Sequence, residues 1–212
     1  MSDSNQYIMN KNIKSTCDLL VQQFNTISAE RKSLLEKIAN YISEKKENNL
    51  PIQLMYVCTH NSRRSHFGQI WAAVAAEYFK IDKVSTFSGG TEVTAFNVNA
   101  IHALKEIGFE IHSKDETLNP VYEVFFSNHL DPSICFSKVY HDEANPKTNF
   151  AAIMTCGDAE ENCPFIPGVE LRIATTYNDP KAFDGTEQQE EKYKERALQI
   201  AKETLYVFSK VG

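Results

Sequence analysis

The sequence predicts an α/β protein, a mainly parallel sheet carrying an N-terminal helical extension. Two observations carry this expectation. Beyond residue 51, short apolar runs alternate with longer amphipathic stretches, the pattern of strand–helix units closed by right-handed crossovers. Before it, apolar residues recur only at helical spacing. A chain of 212 residues, at roughly 100–200 residues per domain, accommodates one domain with an appendage. The change of texture divides it into a helical extension, 1–50, and a catalytic domain, 51–212.

Ile13, Cys17, Leu20 and Phe24 mark a first helix, and after a break around 25–28, Leu34, Leu35, Ile38 and Ile42 mark a second. The polar run 44–49 and Pro51 stop it. No chemical motif occurs in this hairpin, so its expected role is packing on the main domain or on a partner. An apolar run, 54–57, then ends at Cys58 as a first strand. A helix follows over 65–79, with Phe67, Ile70, Trp71, Val74 and Tyr78 on one face. A strand over 84–88 precedes a helix over 98–107 that Gly108 terminates. Strands over 150–155 and 169–174 and a closing amphipathic helix over 187–209 complete the pattern. Residues 112–149 fit no such unit and are expected to be an irregular insertion. Ligands of such a sheet bind beyond the carboxyl ends of its strands.

Apolar residues at 42% and charged residues at 24% exclude a disordered or fibrous chain. The net charge of −6 argues against nucleic acid or an anionic membrane as partner, so an anionic substrate has to be held by local geometry. The first residues lack the basic and apolar regions of a signal peptide. The longest apolar run, 70–76, falls short of the ~18 residues of a membrane span. A cytoplasmic protein is expected. Its five cysteines are too few and scattered for a disulfide scaffold, and in a reducing compartment some are expected to be catalytic or redox-active. Cys17 and Cys135, without suggestive neighbours, are expected to be small buried hydrophobes.

The first chemical motif is Cys58-Thr59-His60-Asn61-Ser62-Arg63-Arg64-Ser65, a C-x5-R-S loop between strand and helix. Loop amides at the positive end of a helix cradle a tetrahedral oxyanion, which makes Thr59, His60, Asn61, Ser62, Arg63 and Arg64 the expected oxyanion-binding residues. Arg64 grips two oxygens through a planar fork that lysine lacks. The same positive bowl favours the thiolate of Cys58, the candidate nucleophile. Ser65 is placed to donate to that sulfur, and Asn61 to brace the loop. An ordinary strand–helix turn is the plain alternative.

The second motif, Cys156-Gly157-Asp158-Ala159-Glu160-Glu161-Asn162-Cys163-Pro164, follows the third strand of the alternation. C-x6-C is wider than the C-x2–4-C of a zinc knuckle, so no metal is assigned to it. A disulfide needs Cα atoms about 4.4–6.8 Å apart, so these cysteines meet only if the segment between them bulges. Residues 156–164 are therefore expected to be mobile or to adopt different conformations in the reduced and oxidised protein, with Gly157 supplying backbone freedom. Two incidental structural cysteines are the plain alternative. The third motif is Asn178-Asp179-Pro180, where the proline keeps Asp179 extended and aims its carboxylate. Tyr177 beside it is expected to line a slot for a phenol.

On these residues the chain resembles the low-molecular-weight tyrosine phosphatase superfamily, through the loop and its helix, Ser88-Gly89-Gly90-Thr91-Glu92, and 97–108. CTHNSRRS is similar to the C-[TV]-[GH]-N-[SA]-x-R-S loops of its thioredoxin-coupled arsenate reductases, and 156–164 to their CxDAxxxCP segment; the phosphatases lack both thiols. Arg63 and His66 depart from the usual choices beside the loop. The resemblance spans residues 52–212 and implies a three-layer fold, a four-stranded mainly parallel sheet with helices on both faces. It implies that Cys58 attacks arsenate while Asp179 protonates the departing oxygen. Cys156 then attacks Cys58 and releases arsenite, and Cys163 attacks Cys156 to leave a disulfide for a thioredoxin-like external reductant. No tightly bound cofactor is expected; a loosely held monovalent cation is compatible with the sequence but not established by it. The alternative is a phosphatase hydrolysing phosphotyrosine or small phosphoesters through a cysteinyl-phosphate on the same Cys58, Arg64 and Asp179. A third reading, a silent oxyanion-binding protein, is separated from both by turnover. The expected partners are arsenate or phosphate and the reductant, with no nucleic acid and no membrane.

Overall fold

Two polar side chains start the N-terminal hairpin. Asn10 Oδ1 accepts from the amide of Asn12 at 2.9 Å and begins α1, Lys11–Val21. Ser28 Oγ accepts from the amide of Arg31 at 3.1 Å and begins α2, Ala29–Glu47. A single 3-10 turn, Phe24–Thr26, fills the expected break. The computed structural model describes residues 9–162 and 165–212.

The sheet has four parallel strands in the order β2-β1-β6-β7: β1 Ile52–Cys58, β2 Val84–Gly90, β6 Phe150–Met154 and β7 Val169–Ala174. The strands alternate between two cores, as period-two geometry requires. Ile52, Leu54, Tyr56, Ala151 and Ile153 face a large core with α3 (Arg64–Phe79), α4 (Val98–Ile107) and α6 (Gln189–Ser209). Ile13, Cys17 and Leu20 of α1 and Leu35, Ile38 and Ile42 of α2 are buried in that same core. Met55, Val57, Phe150, Ala152 and Met154 face the other way, under Ile166 and Ala159 of the short α5, Gly157–Asn162. Helices thus flank both faces. Gly68 lets α3 lie directly on β1, since a Cβ there would stand 2.2 Å from the Tyr56 ring.

Segment 112–149 corrects an expectation. Instead of being wholly irregular, the chain forms an antiparallel sheet, β3 Glu110–Ser113, β4 Tyr122–Phe125 and β5 Ser133–Cys135. Strands of three or four residues are too short for alternation to stand out, and only Ile111, Val124 and Cys135 of them are buried. Among the described residues no helix is long and apolar enough to cross a membrane.

Candidate active site

Parallel neighbours place the two decisive cysteines together. Val57 pairs with Met154, and the carbonyl of Val57 accepts from the amide of Thr155 at 2.7 Å. Cys58 ends β1 and Cys156 stands two residues beyond β6, so both emerge at the carboxyl edge of adjacent central strands. Thr59 Oγ1 and Cys156 Sγ are 3.3 Å apart, and the Ala159 amide reaches the same sulfur at 3.4 Å.

The loop over 58–65 is fixed from outside. Asn61 takes a left-handed φ of 44°, which asparagine tolerates better than most residues. Its Oδ1 accepts from the Lys138 amide at 2.9 Å, so its Nδ2 donates to Ser65 Oγ at 2.9 Å. Ser65 thereby has its own hydroxyl hydrogen free for Cys58 Sγ, 3.1 Å away. The carbonyl of Thr59 accepts from the Glu92 amide at 2.8 Å, that of His60 from Ser137 Oγ at 2.8 Å, and that of Ser62 from the Asn97 amide at 3.0 Å. N–H and C=O of one trans peptide point in opposite directions, so the amides of His60, Asn61 and Arg63 turn to the other side of the loop. Gly90 is needed where β2 ends, because a Cβ there would lie 2.6 Å from the Thr59 carbonyl oxygen and 2.8 Å from the Asn61 nitrogen.

Arg64 donates through Nη1 to the Tyr177 carbonyl at 2.8 Å and through Nη2 to Asp179 Oδ2 at 2.6 Å. Its buried Nε has no hydrogen-bond partner among the described residues. Arg63 also binds Asp179, Nε to Oδ1 at 2.8 Å. Its guanidinium therefore faces the carboxylate, and only its backbone belongs to the loop. His60 turns its ring towards Glu92, with the nearest nitrogen and oxygen 3.4 Å apart. Partial burial alone would raise the Asp179 carboxyl, but Arg64, the Lys181 amide and Arg63 outweigh it and hold it below the usual carboxylate range. A depressed folded value means that these contacts stabilise the fold at neutral pH and lose that contribution as acid protonates Asp179. The gap in urea midpoint between wild type and Asp179→Asn should accordingly be widest near pH 7 and close below about pH 4. A gap that grows with acid would contradict these contacts.

Burial, and then the charge of Lys138, push His66 well below its usual value. The imidazole is thus neutral beside the loop and adds no positive charge to it. Its Nδ1 lies 3.2 Å from Ser88 Oγ, which donates to Gln69 Oε1 at 2.6 Å.

Tyr177 departs from expectation. Its ring is buried, its hydroxyl donates to Glu203 Oε2 at 2.8 Å, and Arg31 of α2 stacks over it at 4.9 Å. The side chain turns inward to α6 and lines no slot at the loop. Glu203 and Arg31 are the residues that sequence reasoning missed; a carboxylate one turn beyond the buried Ile200, on the apolar face of an amphipathic helix, was the available signal. Cys17 and Cys135 are buried, and burial raises each thiol to about 12. Cys163, and with it any pairing to Cys156, lies outside the described residues. Among the described residues no group of three or more His, Cys, Asp or Glu is placed to hold a metal.

No family model matches the chain. It is 26% identical over 160 residues to the arsenate reductase of Bacillus subtilis, covering 75% of this chain and 96% of that one. It is 28% identical over 127 residues to the arsenate reductase of Staphylococcus aureus strain Newman, covering 60% of this chain and 77% of that one. Two solved structures share the fold. An arsenate reductase in a phosphate-binding state superposes with a TM-score of 0.51 at 18% identity, over 76% of this chain and 99% of that one. A low-molecular-weight phosphotyrosine phosphatase of Vibrio cholerae O395 superposes with a TM-score of 0.50 at 15% identity, over 74% and 95%. With its Cys58 loop and Cys156 on that scaffold, the chain has the low-molecular-weight phosphatase fold and is a sequence relative of the arsenate reductases.

Proposed function

We propose that this protein reduces arsenate to arsenite with thiol electrons. The observation that carries the reading is Cys156, whose sulfur stands 3.3 Å from Thr59 Oγ1 beside the Cys58 loop. A hydrolase needs only water at that place; a reductase needs a second thiol. The inward turn of Tyr177 favours the same choice over a phenol-cleaving phosphatase.

Arsenate is held by the loop amides and by Arg64, and the Cys58 thiolate attacks arsenic. A sulfur–arsenic bond forms as one oxygen leaves as water, its proton drawn from the hydrogen arsenate itself and relayed by the Asp179 carboxylate. The Cys156 thiolate then attacks the Cys58 sulfur. The sulfur–arsenic bond breaks with its electron pair passing to arsenic, which falls from As(V) to As(III), while two thiolates become the Cys58–Cys156 disulfide. Attack by Cys163 on Cys156 regenerates Cys58, and an external thioredoxin-like dithiol reduces the Cys156–Cys163 disulfide. Such a supply of reducing equivalents fits the cytoplasm. The chemistry asks for no tightly bound cofactor, and comparing activity in potassium and choline salts tests for a loosely held cation. Thioredoxin-coupled arsenate turnover, run beside p-nitrophenyl phosphate hydrolysis, tests the reading; hydrolysis without arsenate reduction would replace it by the phosphatase.

A change of shape within 156–164 is part of this proposal. Nothing lies within 4 Å of a Cβ built on Gly157, and its φ is not positive. Gly157→Ala should therefore leave the fold as stable or up to about 1 kcal/mol more so, yet slow turnover through reduced backbone freedom. Unchanged steady-state turnover would argue that the segment works without rearranging.

A further inference from the structure

Two guanidinium groups converge on Asp179, yet capture of an oxyanion needs one of them back. Arg64 Nη1 is committed to the Tyr177 carbonyl, and its Nε is buried without a partner among the described residues. The edge able to grip two oxygens is therefore Nε with Nη2, and Nη2 is held by Asp179 Oδ2 at 2.6 Å. An oxyanion that takes this edge displaces the carboxylate from Arg64. Asp179 has to remain at the loop all the same, because the proton of the departing oxygen passes through its carboxylate. Two described contacts of Asp179 do not depend on Arg64: the Lys181 amide to Oδ1 at 3.0 Å, and Arg63 Nε to Oδ1 at 2.8 Å with Nη2 to Oδ2 at 3.4 Å. The amide belongs to Asp179's own loop and cannot tie that loop to the nucleophile. Arg63 can, since it immediately precedes Arg64 at the start of α3 and its side chain is 8% exposed.

We infer that Arg63 is a positioning residue that retains Asp179 over the loop while Arg64 passes from Asp179 to the oxyanion. The role given to Asp179 rests on the proposed function; the handover rests on the contacts alone. Arginine suits the task because its Nε–Nη2 edge meets both carboxylate oxygens, whereas a lysine offers a single point. In a loop where one cation must be surrendered to substrate, the second prevents that surrender from freeing the acid.

The test is a double-mutant cycle with an independent structural readout. Arg63→Gln should lower kcat for arsenate about tenfold or more, with inorganic phosphate inhibiting nearly as well as before. Arg63→Lys should recover part of that loss. In an Asp179→Asn background, Arg63→Gln should cost nothing further, because its effect passes through Asp179. A full additional loss in that background, or a kcat within twofold of wild type in Arg63→Gln alone, overturns the inference. A crystal structure of the wild type with phosphate should show Arg64 Nε and Nη2 on the anion and Asp179 still on Arg63. Asp179 released from both arginines, or still on Arg64 with the anion bound, overturns it as well. A wild type that binds phosphate but reduces no arsenate defeats the proposed function and leaves this structural readout standing; a wild type that binds no phosphate defeats both.

Discussion

Cys58→Ser is expected to abolish arsenate reduction, a loss of at least about 10³-fold, comparable to removing other catalytic nucleophiles. The loop should survive, because the Asn61 braces to Ser65 and Lys138 do not involve the sulfur. Serine is a poor nucleophile at neutral pH, and the loop's imidazole, His60, turns its ring towards Glu92. The other two cysteines should divide the reaction. Cys156→Ser keeps a hydroxyl facing Thr59, so it should still cleave p-nitrophenyl phosphate while releasing no arsenite. Cys163→Ser should perform one turnover and stop as a Cys58–Cys156 disulfide, found by peptide mass mapping. Wild-type arsenate rates for both variants with thioredoxin present would end the relay.

Arg31→Met should be the most damaging change outside the loop. Glu203 is 5% exposed, and its Oε2 is approached by Arg31 Nη2 at 2.7 Å, Arg31 Nε at 2.9 Å and the Tyr177 hydroxyl at 2.8 Å. Removing the cation leaves a buried carboxylate without this ion pair, which costs about 3–5 kcal/mol. For a chain of this size, that corresponds to a melting point lower by roughly 6–20 °C. Adding Glu203→Gln should restore most of the stability, since the buried charge is then gone. Thermal melts of the two variants decide the matter: a shift of less than about 2 °C in Arg31→Met, or no recovery in the double variant, would show that the pair matters little.

What the sequence discloses here is what is local. The hairpin break, the strand ending at Cys58, α4 and β7 all follow from periodicity and from single residues such as Gly108. The loop was legible because spacing alone brings Cys58, Ser65 and Arg64 to one strand–helix junction. The grip of Arg63 on Asp179 joins residues 116 apart, and that of Arg31 on Glu203 residues 172 apart. Neither leaves a periodic trace. Tyr177 misled for a related reason: its neighbour Asp179 faces the loop, but the ring followed the buried carboxylate of α6 instead. The three-residue β5 was hidden because its pairing partner, rather than its own pattern, makes it a strand.

The adjacency of β1 and β6 also carries a timing constraint. Thr59 and Cys156 touch across 97 positions of chain. Their strands meet by parallel pairing, a nonlocal event that forms late and slowly compared with helices and tight turns. On the ribosome, the loop holding Cys58 and its neighbour β2 emerge well before β6 exists. A partly made chain therefore carries Cys58, the nucleophile of the proposed reaction, without Cys156, the thiol proposed to discharge it. An oxidant or metalloid met at that moment would leave an adduct with no internal exit, so newly synthesised chains should be more vulnerable to such poisoning than finished ones.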